Sequence, residues 1–310
     1  MKNDILDAAT RIAPYIHRTP ILTSQQLNSL ARGELYFKCE NFQKMGAFKM
    51  RGATNAILQL SKEQQQKGVV THSSGNFAQA LALAAKNLNI RANIVMPKDA
   101  PEVKKAAVRG YGGIINECEP TVNSRQATAQ KIQDTTGATF IHPFNDFNVI
   151  LGNATAAKEL LEDHPDLDII VAPVGGGGII SGSILSALSF SNSCMVIGAE
   201  PFEVDDAYRS LQSGKIEHNT TTNTIADGLK TNLGDITFAI IKNYLSEIIR
   251  VTEDEIVEAM KLIWERMKII VEPSCATTLA AILKNKTTFK NKKVGVILTG
   301  GNVDLKKLPF

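Results

Sequence analysis

Cysteine is scarce in this chain: four in 310 residues, Cys39, Cys118, Cys194 and Cys275. None forms a CxxC pair, and no histidine stands at ligand spacing from any of them. This argues against a zinc site and against a disulfide framework. No apolar run approaches the length of a membrane span. The N-terminal stretch MKNDILDAATRIAPYIHRTP lacks the apolar core of a signal peptide and reads as an amphipathic helix followed by a turn. These absences point to a reduced, cytoplasmic setting without a membrane partner. Charge of one sign is missing too: 34 Lys and Arg face 31 Asp and Glu, a net charge of +3. That leaves no electrostatic footprint for nucleic acid or an acidic membrane. There is no long linker, no internal repeat and no low-complexity tract.

What is present is ample apolar material, 44% hydrophobic against 21% charged residues. The length exceeds the usual single-core range, so two domains or one large α/β domain are expected. Strand and helix patterns alternate. Strands are predicted over 35–39, 68–71, 92–96, 112–116, 139–142, 168–173, 195–200 and 293–299. Helices are predicted over 50–60, 77–87, 101–109, 122–135 and 149–162, with another following the glycine run at 175–178. Thr252-Glu253-Asp254-Glu255 spells a capping box, with Val251 and Ile256 at staple positions, for a helix to about 268. Such alternation predicts βαβ units and mostly parallel sheets. Without a linker, a second domain must be intercalated.

Ligands in open α/β sheets bind at the carboxyl ends of strands, and several motifs fall there. Gly175, Gly176, Gly177 and Gly178 follow a strand and open a helix, so successive N–H groups can converge on a phosphate. They match neither G-x-G-x-x-G, because position 180 is Ile180, nor a P-loop, because no Lys follows. A tight strand-to-helix turn is the plainer reading. Ser73, Ser74, Gly75 and Asn76 offer N–H groups for a carboxylate, although an N-cap explains them as well. Lys49 stands at a predicted helix start. The positive helix end, Lys44 and Arg51 are expected to lower its pKa and make it a nucleophile, yet most lysines are solvated surface. Glu200, Glu203, Asp205 and Asp206 crowd one strand end and suit Mg²⁺ or Ca²⁺, or a solvated acidic turn. Thr299 ends the last strand, where its hydroxyl can face the crevice.

Order makes these motifs specific. AFKMRGA around Lys49, SSGN at 73–76, GGGG at 175–178, EPFEVDD at 200–206, EPS at 272–274 and TGGN at 299–302 run along nearly the whole chain. On them the chain resembles the pyridoxal-phosphate enzymes of the tryptophan-synthase β-type fold (fold type II). Within these it is most similar to the serine racemase and serine/threonine dehydratase group. The resemblance implies an α/β fold of two open, twisted, mostly parallel sheets flanked by helices. A large domain would comprise 1–67 and 146–310, and an inserted small domain 68–145, with the cofactor between them. It further implies that Lys49 carries the Schiff base and Phe48 lies against the ring. Gly175, Gly176, Gly177, Gly178 and the Ile179 amide would cradle the phosphate. Asn76 would bind the ring 3-hydroxyl, and Thr299 the pyridine nitrogen. Ser73, Ser74, Gly75, Asn76 and Phe77 would line the substrate. Glu200, the Val204 carbonyl and Asp206 would hold a divalent cation, Mg²⁺ or Ca²⁺. A homodimer is implied by resemblance alone.

The implied activity is an ammonia-lyase (dehydratase) reaction on β-hydroxy amino acids such as serine, threonine or 3-hydroxyaspartate, giving a 2-oxo acid and ammonia. The alternative is a serine racemase with elimination as a side reaction. A hydroxyl at Thr299 is too weak an acid to keep a pyridine nitrogen protonated. That mutes the ring as an electron sink and suits β-elimination or reprotonation at Cα more than transamination. Ser74 resembles the second acid/base of racemases. Two positions pull away from a pure racemase. Phe77 stands where relatives usually have His, and Phe144 resembles dehydratases, since racemases tend to have Asn there.

Overall fold

The computed structural model describes all 310 residues. Its ten strands are β1 (Ile21–Leu22), β2 (Glu34–Cys39), β3 (Val69–His72), β4 (Ala92–Pro97), β5 (Ile114–Cys118), β6 (Thr139–Phe140), β7 (Ile169–Pro173), β8 (Met195–Pro201), β9 (Glu247–Val251) and β10 (Lys293–Leu298). They form two sheets, ordered β1-β2-β10-β7-β8-β9 and β5-β4-β3-β6. Every pairing is parallel except β1 with β2. The expected two-sheet α/β class is therefore the observed one. Central strands such as β7, IIVAP, are buried along their whole length, as strands covered by helices on both faces must be.

Three clusters make up most of the core. One face of the six-stranded sheet packs Leu35, Phe37, Val171 and Val296 against Met260, Ile263 and Leu279. The other packs Ile170, Ala172 and Ile297 against Leu160 and Ile184. A third joins Ile94, Met96 and Leu81 of the four-stranded layer to Met50 and Ile57. The last two residues belong to helix Lys49–Leu58, which packs on both Phe147–Asp163 and Asn76–Asn87 and so touches both layers. Its approach to the 147–163 helix is close. A Cβ on Gly152 would fall 2.5 Å from the Arg51 carbonyl oxygen, so only glycine fits there.

Local signals act as expected at the Thr252 cap. The Thr252 hydroxyl accepts the Glu255 amide at 3.3 Å, and the Glu255 carboxylate accepts the Thr252 amide at 2.8 Å. The N-terminal helix Lys2–Ile12 buries Ile5, Ala8 and Ile12. Elements without a counterpart in the sequence reading include β9 and helix Pro273–Lys284. That helix is buried continuously from Ser274 to Ile282, so it has no polar stripe to mark its period. The strand expected over 139–142 ends at Phe140, and His142 turns away into the connection to the next helix. All four cysteines are free, and no helix is long and apolar enough to cross a membrane.

Candidate active site

The ends of β3, β7 and β10 meet where helix Lys49–Leu58 begins. The Phe48 amide donates to the Thr299 carbonyl at 3.0 Å, and Ala47 bridges Gly300, which fixes that helix start to the end of β10. Thr299 itself is buried.

After β7, Gly177 takes a positive φ of 88° and helix Gly178–Phe190 follows. The amides of Gly175, Gly176, Gly177, Gly178 and Ile179 meet no acceptor within the chain. Side chains would not fit here. A Cβ on Gly175 would lie 2.8 Å from Leu229 Cα, and one on Gly176 would lie 2.4 Å from the Phe144 ring. The Gly176 carbonyl is turned away from the cradle and accepts the Thr237 hydroxyl at 2.9 Å. Unclaimed amides at a helix N-terminus make an anion cradle.

Lys49 is half-buried, with Nζ donating to the Pro143 carbonyl at 3.1 Å. Its amine lies 4.8 Å from the Phe48 ring centroid and 5.8 Å from that of Phe77. Loss of hydration lowers its pKa to about 8, with Glu272 pulling the other way. The expected cause is corrected: Arg51 does not act on it. The Arg51 guanidinium is fully buried on the far side and paired with Glu40 and Glu159, each at 2.7 Å, while Lys38 also meets Glu159 at 2.7 Å. Two cations and two carboxylates cancel within that quartet.

Helix Asn76–Asn87 has Gly75 at its N-cap and no side-chain cap, so the serines do not serve as caps. The Ser73 hydroxyl accepts the Gly75 amide at 3.3 Å, and a Cβ on Gly75 would meet nothing within 4 Å. Asn76 Nδ2 donates to both Glu272 oxygens, at 2.9 and 3.1 Å. Asn302 Nδ2 donates to Asn76 Oδ1 at 2.9 Å, and the Asn302 amide donates to Glu272 at 3.2 Å. Burial, with nearby Asp227 adding to it, pushes Glu272 up to about 7. Glu272 was visible in sequence only as part of the EPS motif.

At the end of β8, Glu200 and Asp206 are fully buried, which rules out a solvated turn for these two. Glu200 accepts the amides of Ala207 and Tyr208 at 3.0 and 2.9 Å. Burial and the facing Asp206 raise its pKa well above the carboxylate range. Burial raises Asp206 to about 6. The Val204 carbonyl accepts no backbone hydrogen bond. Exposed Glu203 stays apart, and Asp205 pairs with Arg209 and Arg250, each at 2.7 Å. No group of three or more His, Cys, Asp or Glu side chains is arranged to hold a metal ion.

Two further residues on helices of the four-stranded layer carried no motif. Arg125, in helix Val122–Thr136, is half-buried and has no salt bridge, and its Nε is buried without a partner. Its charge acts on His72, the residue before Ser73, whose pKa is lowered chiefly by burial. Lys104, in helix Glu102–Gly110, pairs across the cleft with Asp227 at 2.5 Å.

A cradle for a phosphate, an amine of low basicity and a buried hydroxyl at a third strand end define an enzyme of the pyridoxal-phosphate type, and the residues present fit that group. A family model described as pyridoxal-phosphate dependent enzyme matches residues 12–300, and the chain belongs to this family. Within it the chain falls in the serine racemase and serine/threonine dehydratase group of fold type II. It is 53% identical to the β-hydroxyaspartate dehydratase of Paracoccus denitrificans, over 99% of this chain and 98% of the relative. It is 52% identical to the serine racemase of Dictyostelium discoideum, over 98% of this chain and 95% of the relative. A crystal structure of serine racemase from Dictyostelium discoideum superposes with a TM-score of 0.94, covering 98% of this chain and 99% of that one.

Proposed function

We propose that this enzyme is an ammonia-lyase of β-hydroxy amino acids and that 3-hydroxyaspartate is its preferred substrate. Arg125 carries the choice of side chain. A half-buried guanidinium without a counter-ion favours an incoming anion, and its charge reaches His72, the residue before the Ser73–Asn76 loop proposed to hold the α-carboxylate. A second carboxylate on the substrate's β-carbon supplies the missing charge. Phe77 and Phe144 leave no other strong anion ligand nearby. The similarity to a β-hydroxyaspartate dehydratase runs the same way.

When bound, pyridoxal phosphate supplies an electron-accepting ring that acidifies the substrate's Cα–H. The chain's residues divide the rest. Lys49 would hold the cofactor's aldehyde carbon and, once freed, take the Cα proton at Nζ. Its lowered basicity keeps a useful fraction neutral near pH 8. The amides of Gly175, Gly176, Gly177, Gly178 and Ile179 would bind the phosphate. Phe48 would lie against the ring, Asn76 would meet its 3-hydroxyl, and Thr299 its nitrogen. Glu200, Asp206 and the Val204 carbonyl would hold Mg²⁺ or Ca²⁺, whose charge would relieve two buried carboxylates. Residues 68–145 form the inserted domain in this reading, and the chain works as a homodimer, which a solution mass measurement checks.

A racemase reading rests on Ser74, whose hydroxyl is engaged by nothing in the chain and is free to return a proton to Cα. The deciding experiment supplies purified holoenzyme with serine, threonine and 3-hydroxyaspartate. It follows 2-oxo acid and enantiomer together. The proposal expects the highest kcat/KM with 3-hydroxyaspartate, and a roughly 10- to 100-fold loss for that substrate alone in Arg125→Gln. Equal or better turnover of serine by the Arg125→Gln and parent enzymes alike would overturn it. D-serine forming faster than pyruvate would favour the racemase.

A further inference from the structure

The segment between β6 and helix Phe147–Asp163 crosses from one sheet layer to the other, and its shape rests on one imidazole. His142 Nδ1 accepts the Asn145 amide at 2.9 Å and, more weakly, the Phe144 amide at 3.4 Å. An atom that accepts two amides carries no proton, so the ring is neutral with its hydrogen on Nε2. The ring is held edge-on by Phe144 at 4.6 Å between centroids. Three consequences follow from the fold of this strap. The Pro143 carbonyl faces Lys49 Nζ at 3.1 Å. Phe144 lies on the glycine cradle, filling the space a Cβ on Gly176 or Gly178 would need. Asn145 clamps the start of helix Asp235–Tyr244, donating to Asp235 at 2.5 Å and accepting the Ile236 amide at 3.0 Å.

We propose that His142 is a positioning residue for the Lys49 amine: its unprotonated Nδ1 locks the strap that aims Pro143 at Lys49 and seats Phe144 on the cradle. This rests on the reading that Lys49 is the reactive amine. The charged and titratable groups facing the imidazole are His72 from β3, Lys49 from its helix start and Asp235 from the first turn of its helix. Burial, with His72 and Lys49 adding to it, lowers the His142 pKa to about 4, and Asp235 opposes this only in part. The acceptor is therefore kept through the neutral range.

The test separates a hydrogen-bond acceptor from a filler of space. Asn places an acceptor oxygen where Nδ1 stands, Gln places one at the far end, and Leu supplies bulk alone. In cofactor-free protein, the pH midpoint of Lys49 acylation is read by mass spectrometry. In holoenzyme, kcat and KM are read against pH. His142→Asn is expected to keep the midpoint near 8. His142→Leu and His142→Gln should move it toward an ordinary lysine by about one unit or more. They should also lower kcat by roughly 10- to 100-fold with KM little changed. If the Leu variant does not fold, the Asn and Gln pair carries the same comparison. Folded Asn and Gln variants with identical midpoints and kcat would overturn the proposal. Turnover surviving in Lys49→Ala would instead sink the reading of Lys49, whatever the His142 variants do.

Discussion

At Lys49 the deciding quantity is hydration. A lysine in water holds its proton to about 10.5, and here burial against Phe48 and Phe77 brings it to about 8. At pH 7.5 about a quarter of the amine is then neutral, against about a thousandth for a solvated lysine. Selective acylation of cofactor-free protein should show Lys49 reacting ahead of the surface lysines, with a midpoint near 8. A midpoint above 10 would mean that water reaches the amine. The sequence offers Lys49 as a candidate amine, but nearby positive charge is not what lowers its pKa, because charge proximity along the chain says nothing of direction. Arg51 is two residues away and points into a neutral quartet. Glu272, Arg125 and His142 went unread for a related reason. Glu272 acquires its role from Asn76, 196 residues upstream, and Arg125 acts on His72 of another element. His142 bonds its own neighbours, but what that local strap meets, Lys49, lies far off in sequence.

Among elements, those with an apolar run bounded by glycine or proline were legible, and those lacking a period were not. β7 and β10 are of the first kind, while helix Pro273–Lys284 is of the second. The turn from β7 into helix Gly178–Phe190 shows how an element becomes a site. Its amides are free because its glycines let Phe144 and Leu229 approach where side chains would stand. Gly176→Ala should therefore force the Phe144 ring out of place. Overpacking of this kind costs about 1–3 kcal/mol. Urea unfolding should register that loss, and titration with pyridoxal phosphate should show weaker binding. An alanine variant with unchanged affinity would mean that Phe144 yields without disturbing the cradle.

For the whole molecule, stability should depend on a cation. Glu200 and Asp206 are buried together, and their raised pKa values mean that the folded chain resists their ionisation. Ionising Asp206 as pH rises through about 6, and ionising Glu200 beside it, costs folding free energy unless a positive charge arrives. At neutral pH, Mg²⁺ or Ca²⁺ should raise the thermal midpoint of chelator-treated protein. The gain should vanish in Glu200→Gln and Asp206→Asn, and an unresponsive midpoint in the parent would remove the cation from the reading. The two layers are also joined by one ion pair across the cleft, Lys104 with Asp227.

The placement of the cleft between two separate sheets has a consequence for how such an enzyme can diversify. The glycine cradle and Thr299 grow from the six-stranded sheet, whereas His72, Ser73 and Ser74 grow from the four-stranded one, with Arg125 on a helix that covers it. A substitution on the second wall can alter which side chain is admitted while the hydrogen-bonded frame of the first is left as it was. On the proposed division of roles, a change of one or two residues can shift substrate preference while the frame proposed to hold the cofactor stays as it was.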